Sequence, residues 1–267
     1  MTETVKTNGV DTAYRFDGPV NGRVVLMSNS LMSNYSMWDW TVPALSDKYR
    51  VLRYDTRGHG KSGVTPSPYT MAQLADDAIA LLNALNIKKV HFVGLSMGGM
   101  IGQQLGARYG DRLHSLSLCD TACEMSPRSL WDDRIATARE KGIPGMVDAT
   151  LQRWFTASFA QLSPKDIDTV RAMILGTSLE GYIGCGSAIR DMSQATMLLK
   201  IKTPTLVLTG RHDPATTVEQ ATVIHRLVQR SRMLVIEDAA HLSNIEQPGR
   251  FNRVVRGFID QVDKALN

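Results

Sequence analysis

Five residues constrain this chain more than any others: Gly94-Leu95-Ser96-Met97-Gly98, a G-x-S-x-G sequence. The apolar run KKVHFVGL before the serine reads as a buried strand, and MGGMIGQQLGARY after it reads as a helix. A serine at such a junction sits on a sharp turn with a strained backbone. Side chains two residues to either side would collide there, and glycine removes the collision. The hydroxyl then projects above the sheet, at the positive end of the following helix. Gly99, Gly102 and Gly106 extend the small-residue pattern and would let that helix lie close to the sheet. The pentapeptide alone carries little weight. Its place between a strand and a helix makes Ser96 a candidate nucleophile.

The surrounding pattern supplies the sheet. TAYRFDG, RVVLMSN, RVLRYD and LHSLSLCD read as strands, and TMAQLADDAIALLNAL as an amphipathic helix with Leu74, Ile79, Leu82 and Leu85 near helical spacing. Strand–helix alternation with continuously apolar strands predicts an α/β fold, a mostly parallel sheet with helices on both faces. From about Thr121 to Lys200 the strand signal fades, and Ser126-Pro127 and Ser163-Pro164 read as helix starts, a capping residue followed by proline. The alternation resumes with TPTLVLTG, VEQATVIHRLV and SRMLVIED. A last helix opens at Pro248 and carries Phe251, Val254, Val255, Phe258, Ile259 and Val262 on one stripe. The expected organisation is a core formed by 1–121 and 199–267, interrupted by a helical lid over 122–198.

Composition narrows the function classes. The net charge of +4 comes from scattered Lys and Arg with no basic tract, which argues against nucleic-acid binding. No apolar run approaches membrane-spanning length, and MTETVKTNGV lacks the basic-then-apolar pattern of a signal peptide. Cys119, Cys123 and Cys185 form neither an even framework nor a CxxC pair, so free thiols in a reducing compartment, the cytoplasm, are expected. GHGKS resembles part of a phosphate-binding loop, but the frame puts Asp55 where that loop needs its first glycine. No metal or cofactor is expected.

A serine hydroxyl needs a base, and the base an orienting carboxylate. On this type of turn the partners follow in the order acid, then histidine. Asp213 stands just past one strand in LVLTGRHDPAT, and His241 just past the next in LVIEDAAHLSNIE. Both fall at carboxyl ends of strands, where an open parallel sheet builds its site. Asp120, at the end of the strand after the Ser96 helix, is the main rival to Asp213; Asp238 is a lesser one. His212, adjacent to Asp213, is expected to line the loop. His225 and His114 read as structural, and His59 as part of a turn. The tetrahedral oxyanion needs two N–H donors: one from Met97, after the nucleophile, and one from the loop after an earlier strand.

SNSL, followed by SMW, RVLRYDTRGHGKS, GLSMGG, LCDTA, RWFT and AHLSNIE, resembles the 3-oxoadipate enol-lactone hydrolases of the α/β-hydrolase superfamily, over nearly the whole chain. The G-x-S-x-G and the triad order belong to the whole superfamily; SNSL, LCDTA and RWFT are narrower. In most α/β-hydrolases the second donor follows a His-Gly pair ahead of a tryptophan. Counted back from Trp38, that pair falls on Asn29-Ser30 and the donor on Leu31. Family members often carry glycine where this chain has Met32 and asparagine where it has Asp120. The resemblance implies opening of a carboxylate-bearing enol lactone through an acyl-enzyme.

A substrate carboxylate calls for a cation. The segment 122–194 carries eight Lys/Arg against nine Asp/Glu, so a single placed arginine, not a basic lid, must supply it. Arg134 follows Trp131 by three residues and Leu130 by four, which puts it on the apolar face of its helix. A snorkelling arginine is the alternative. Trp154 reads as a pocket wall or as a lid-core aromatic, and Arg190 is a weaker cation candidate. Two other functions fit the sequence: a carboxylesterase or lactonase on another small ester, and a non-catalytic ligand-binding protein on the same fold.

Overall fold

The computed structural model describes residues 1–266. Eight strands form one sheet: β1 (Glu3–Thr7), β2 (Val10–Asp17), β3 (Val24–Ser28), β4 (Arg50–Tyr54), β5 (Val90–Leu95), β6 (Leu113–Cys119), β7 (Thr205–Gly210) and β8 (Ser231–Ile236). Their spatial order is β1-β2-β4-β3-β5-β6-β7-β8. β1 pairs antiparallel with β2 and β2 antiparallel with β4; every later pairing is parallel. The central strands β5 and β7 are buried at every position, so both of their faces are covered, as their unbroken apolar sequence demands. The edge strand β8 instead alternates between half-buried and exposed positions. The sequence pattern gave no sign of β1, whose first four residues are largely exposed.

The helices of the core are α1 (Met71–Ala84), α2 (Met97–Arg108), α9 (Val218–Leu227) and α11 (Pro248–Lys264), with the single turn α10 (Ser243–Glu246) before the last. α1 opens on Thr70, whose side chain accepts from the Gln73 N–H, and it buries Leu74, Ile79 and Leu82. α11 buries Phe251, Val255, Phe258 and Ile259 along the expected stripe.

Between β6 and β7 the chain forms α3 (Arg128–Lys141), α4 (Val147–Trp154), α5 (Ala157–Leu162), α6 (Pro164–Leu175), α7 (Leu179–Asp191) and α8 (Ala195–Leu198). The two ends of this segment meet: Glu124 bridges Ser193, and the Gln194 N–H donates to the Cys123 carbonyl at 2.9 Å. The proline signals located two of its helices, α3 and α6, but the capping differs from expectation. α3 starts one residue later, with Pro127 itself at the cap, and Ser163 makes no side-chain cap bond before Pro164. No helix of the described residues is long and apolar enough to cross a membrane. Cys119, Cys123 and Cys185 are free and buried.

Candidate active site

Ser96 lies between β5 and α2 with φ +57 and ψ −116, a left-handed conformation that costs a non-glycine residue about 1–3 kcal/mol. The flanking glycines make it possible. A Cβ on Gly94 would lie 2.2 Å from the Gly98 carbonyl oxygen, and one on Gly98 would lie 2.1 Å from the Ser28 carbonyl oxygen. The end of β6 grips the turn from both sides: the Ser96 N–H donates to the Cys119 carbonyl at 2.9 Å, and Thr121 Oγ1 donates to the Ser96 carbonyl at 2.8 Å.

Asp213 and His241 arrive on the loops after β7 and β8. His241 Nδ1 stands 2.8 Å from Asp213 Oδ2, and both residues are buried. An ionised carboxylate only accepts, so Nδ1 is the ring nitrogen that donates to Asp213, which leaves Nε2 as the one that can accept in the neutral imidazole. Asp213 also accepts from the Ala215 N–H (2.8 Å), the Thr216 N–H (3.0 Å) and Thr216 Oγ1 (2.6 Å). Burial pushes the Asp213 carboxyl up, but the charge and hydrogen bond of His241 and the Thr216 bonds outweigh it, and its pKa lies below the ordinary value. Asp120, the rival acid, bonds neither to His241 nor to Ser96 through its side chain; it contacts Gly210 and Ser243 instead.

The loop after β3 is stitched by the side chain that makes SNSL unusual. Asn29 Nδ2 donates to the carbonyls of Ser30 (2.9 Å) and Ser33 (3.1 Å), while Oδ1 accepts from the Thr56 N–H (3.0 Å) and Thr56 Oγ1 (2.7 Å). The neighbouring amides are engaged: Ser30 N–H with Met37 Sδ, Met32 N–H with His59 Nε2 at 3.0 Å, and Ser33 N–H with the Ser30 carbonyl. Among the described residues the fold supplies no acceptor to the amide between them, that of Leu31. Met97 begins α2, where the first amides of a helix have no internal acceptor.

Ser96 and His241 line one cavity, whose lining also includes Trp131, Arg134, Thr150, Arg153, Trp154 and Tyr182. His241 is the one histidine in that lining. The Trp154 ring lies 6.4 Å from the His241 ring, centroid to centroid, so it forms the wall beside the base. Arg134 lines the cavity with its guanidinium 4.9 Å from the Trp131 ring. The face it occupies is marked by buried Trp131, Ile135 and Ala138; Leu130, counted as part of that face from sequence, is 42% exposed. Arg190 does not line the cavity and is held by Asp132 and Asp191.

Several site residues escaped the sequence reading. Arg153 is a second cavity arginine, with Nη2 donating to Thr150 Oγ1 at 3.1 Å. Neither guanidinium meets a carboxylate among the described residues. Burial lowers the pKa of both, and the charge of Arg134 lowers that of Arg153 further, although both stay cationic at any working pH. The indole N–H of Trp131 is buried without an acceptor. Glu246 joins the loop of His241 to the insertion: Oε2 accepts from the Ala240 N–H at 2.8 Å and Oε1 from the Thr156 N–H and hydroxyl. Arg153 sits beside the flagged Trp154, so a test of which face of that helix is apolar would have found it. Glu246 and His59 had no local signal, because their partners are 90 and 27 residues away.

The family model described as the alpha/beta hydrolase fold matches residues 23–248. The 3-oxoadipate enol-lactonase 2 of Acinetobacter baylyi is 35% identical over 96% of each chain. The crystal structure of an enol-lactonase from Burkholderia xenovorans has a TM-score of 0.95 at 38% identity, covering 97% of this chain and 100% of that one. A thermophilic esterase from Thermogutta terrifontis, solved with malate bound, has a TM-score of 0.91 at 29% identity, covering 98% of this chain and 99% of that one. This chain belongs to the α/β-hydrolase fold family, among the 3-oxoadipate enol-lactonases.

Proposed function

We propose that the protein is a serine hydrolase that opens a carboxylate-bearing enol lactone, 3-oxoadipate enol-lactone, to the open-chain keto acid. The observation that carries this reading is one cavity lined by Ser96 and His241 together with Arg134 and Arg153, two arginines without acidic partners among the described residues. The segment 122–198 acts as a lid that supplies those arginines and the indole wall. The three free, buried thiols suit the cytoplasm.

In this mechanism Arg134 and Arg153 take the free carboxylate and set the ring carbonyl over Ser96. His241 Nε2 accepts the Ser96 proton as Oγ attacks, and Asp213 stabilises the imidazolium. The amides of Leu31 and Met97 receive the oxyanion. Collapse breaks the ring C–O bond, and the His241 imidazolium gives its proton to the leaving enolate, which becomes a ketone on the same acyl chain and leaves His241 neutral. Water, deprotonated by His241, then releases the acid from Ser96. Because ring opening frees no second fragment, a small closed cavity suffices.

Assaying the enol lactone beside p-nitrophenyl acetate tests this reading. The expected result is a kcat/KM for the lactone at least about 100-fold higher, the worth of a charge-assisted carboxylate contact near 3 kcal/mol. A preference for the neutral ester would make the protein a simple carboxylesterase. Failure to turn over either substrate, together with no fluorophosphonate labelling of Ser96, would make it a ligand-binding protein.

A further inference from the structure

The end of β6 holds a buried acid that this chemistry does not use. Asp120 is fully buried in a left-handed backbone conformation, φ +43. Its Oδ1 accepts from the Gly210 N–H at 2.7 Å, and its Oδ2 lies 2.5 Å from Ser243 Oγ. Gly210 leads into the Asp213 loop, and Ser243 follows His241. The residues on either side of Asp120 complete the set, since Cys119 and Thr121 hold the backbone N–H and carbonyl of Ser96. Three consecutive residues therefore touch the segments that carry all three candidate catalytic groups.

We propose that Asp120 is a positioning residue: as a neutral carboxylic acid it ties the end of β6 to the Asp213 loop and to the His241 loop, and so sets the imidazole against Ser96. This rests on reading Ser96, Asp213 and His241 as the catalytic groups. The neutral form follows from the company it keeps. Two facing carboxylates in a water-poor site do not both ionise, and the proton goes to the one with poorer compensation. Asp213 has the imidazole and three further donors; Asp120 has one backbone N–H and one hydroxyl. The titratable groups facing Asp120 are Asp213 and Glu246, with the Cys119 thiol beside it on its own strand, and none of them is a cation. Burial raises the Asp120 carboxyl well above its ordinary range, the charge of Asp213 raises it further, and the bonds from Ser243 and Gly210 only partly oppose them. The Gly210 N–H donates to Oδ1 and the Ser243 hydroxyl to Oδ2; an asparagine amide keeps both ties with its oxygen on Gly210 and its Nδ2 donating to Ser243 Oγ.

The test compares Asp120→Asn with Asp120→Ala, using fluorophosphonate labelling of Ser96, kcat and KM for p-nitrophenyl acetate, and infrared spectroscopy. Asp120→Asn is expected to keep labelling rate and kcat within a few-fold. Asp120→Ala should lower both by about 100-fold with little change in KM, the cost of a displacement near 1 Å. The wild type at pH 7 should show a carboxylic-acid C=O band that Asp120→Asn removes. Ser243→Ala, which cuts only the tie to the His241 loop, should fall between the two in kcat, and it serves if Asp120→Ala does not fold. Overturning results are an Asp120→Asn enzyme as impaired as Asp120→Ala, a wild-type spectrum without the protonated band, or a folded Asp120→Ala with full kcat. Ser96→Ala tests the underlying reading separately: if it still labels and turns over ester, the catalytic assignment fails and not the role of Asp120.

Discussion

The two cavity arginines give the most discriminating prediction. Arg134 and Arg153 are half-buried cations whose pKa values are lowered by desolvation, with mutual repulsion adding to the shift of Arg153, and no carboxylate of the described chain balances either. Their charge is thus a cost to the empty protein and a source of affinity for an anionic substrate. A hydrogen bond to a charged group contributes about 1.5–3 kcal/mol, or roughly 10- to 150-fold in kcat/KM. Arg134→Gln and Arg153→Gln are each expected to lower kcat/KM for the enol lactone by that factor while leaving p-nitrophenyl acetate within a few-fold. Folding stability should hold or rise, because glutamine keeps much of the packing stem and removes the uncompensated charge. If both arginines hold one carboxylate, the double variant loses less than the product of the single losses. The assay is steady-state kinetics on both substrates with urea melts of each variant. Equal losses on lactone and neutral ester, or no loss on the lactone, would refute the assignment of these side chains to substrate charge.

Gly98→Ala puts a methyl carbon 2.1 Å from the Ser28 carbonyl oxygen, so β3 and the start of α2 must part by more than 1 Å; kcat should fall by about 100-fold and stability by about 1–3 kcal/mol, and an unimpaired variant would show that the glycine is not needed for close approach. Asp213→Asn should lower kcat by about 10⁴-fold with KM little changed, through the wrong imidazole tautomer; a loss confined to KM would point to another acid. Buried His59 and His91 have pKa values pushed down to about 4 by desolvation, so the folded state holds both neutral. Their share of stability is present above pH 6.5 and is lost as pH falls towards 4, about 3 kcal/mol each. Asp55, raised to about 6 by burial, acts in the opposite sense, gaining stability as pH falls through 6. Urea melts at pH 7 and pH 4.5 should therefore show a net loss that His91→Asn reduces; the same pH dependence in that variant would count against the assignment.

The legible part of this molecule lay in short-range constraint. G-x-S-x-G, the unbroken apolar strands and the Pro248 helix start each encode their structure within a few residues, and the sheet follows from their alternation. The candidate acid and histidine were legible by position, because parallel strands put the carboxyl ends of β5, β7 and β8 along one edge of the sheet. The insertion was harder. Only the starts of α3 and α6 carry a proline signal, and Leu130, counted with the apolar face of α3 from sequence, is exposed; the buried markers of that face are Trp131, Ile135 and Ala138. Arg153 was passed over because a charged residue beside a tryptophan looks like a solvated position until the cavity is drawn. His59 is the clearest case of a role set by distance: its imidazole holds the Met32 amide across 27 residues, and the local sequence shows only a turn.

The central claim is that Ser96 attacks the lactone and carries it as an acyl chain. Rapid-quench mass spectrometry of the protein mixed with the enol lactone tests it most directly. The account predicts that a peptide containing Ser96 gains the full mass of the lactone, with no fragment lost, at a rate no slower than turnover, and that Ser96→Ala loses both the adduct and at least about 10⁴-fold in rate. Full turnover with no adduct at any quench time, or turnover that survives Ser96→Ala, would contradict it.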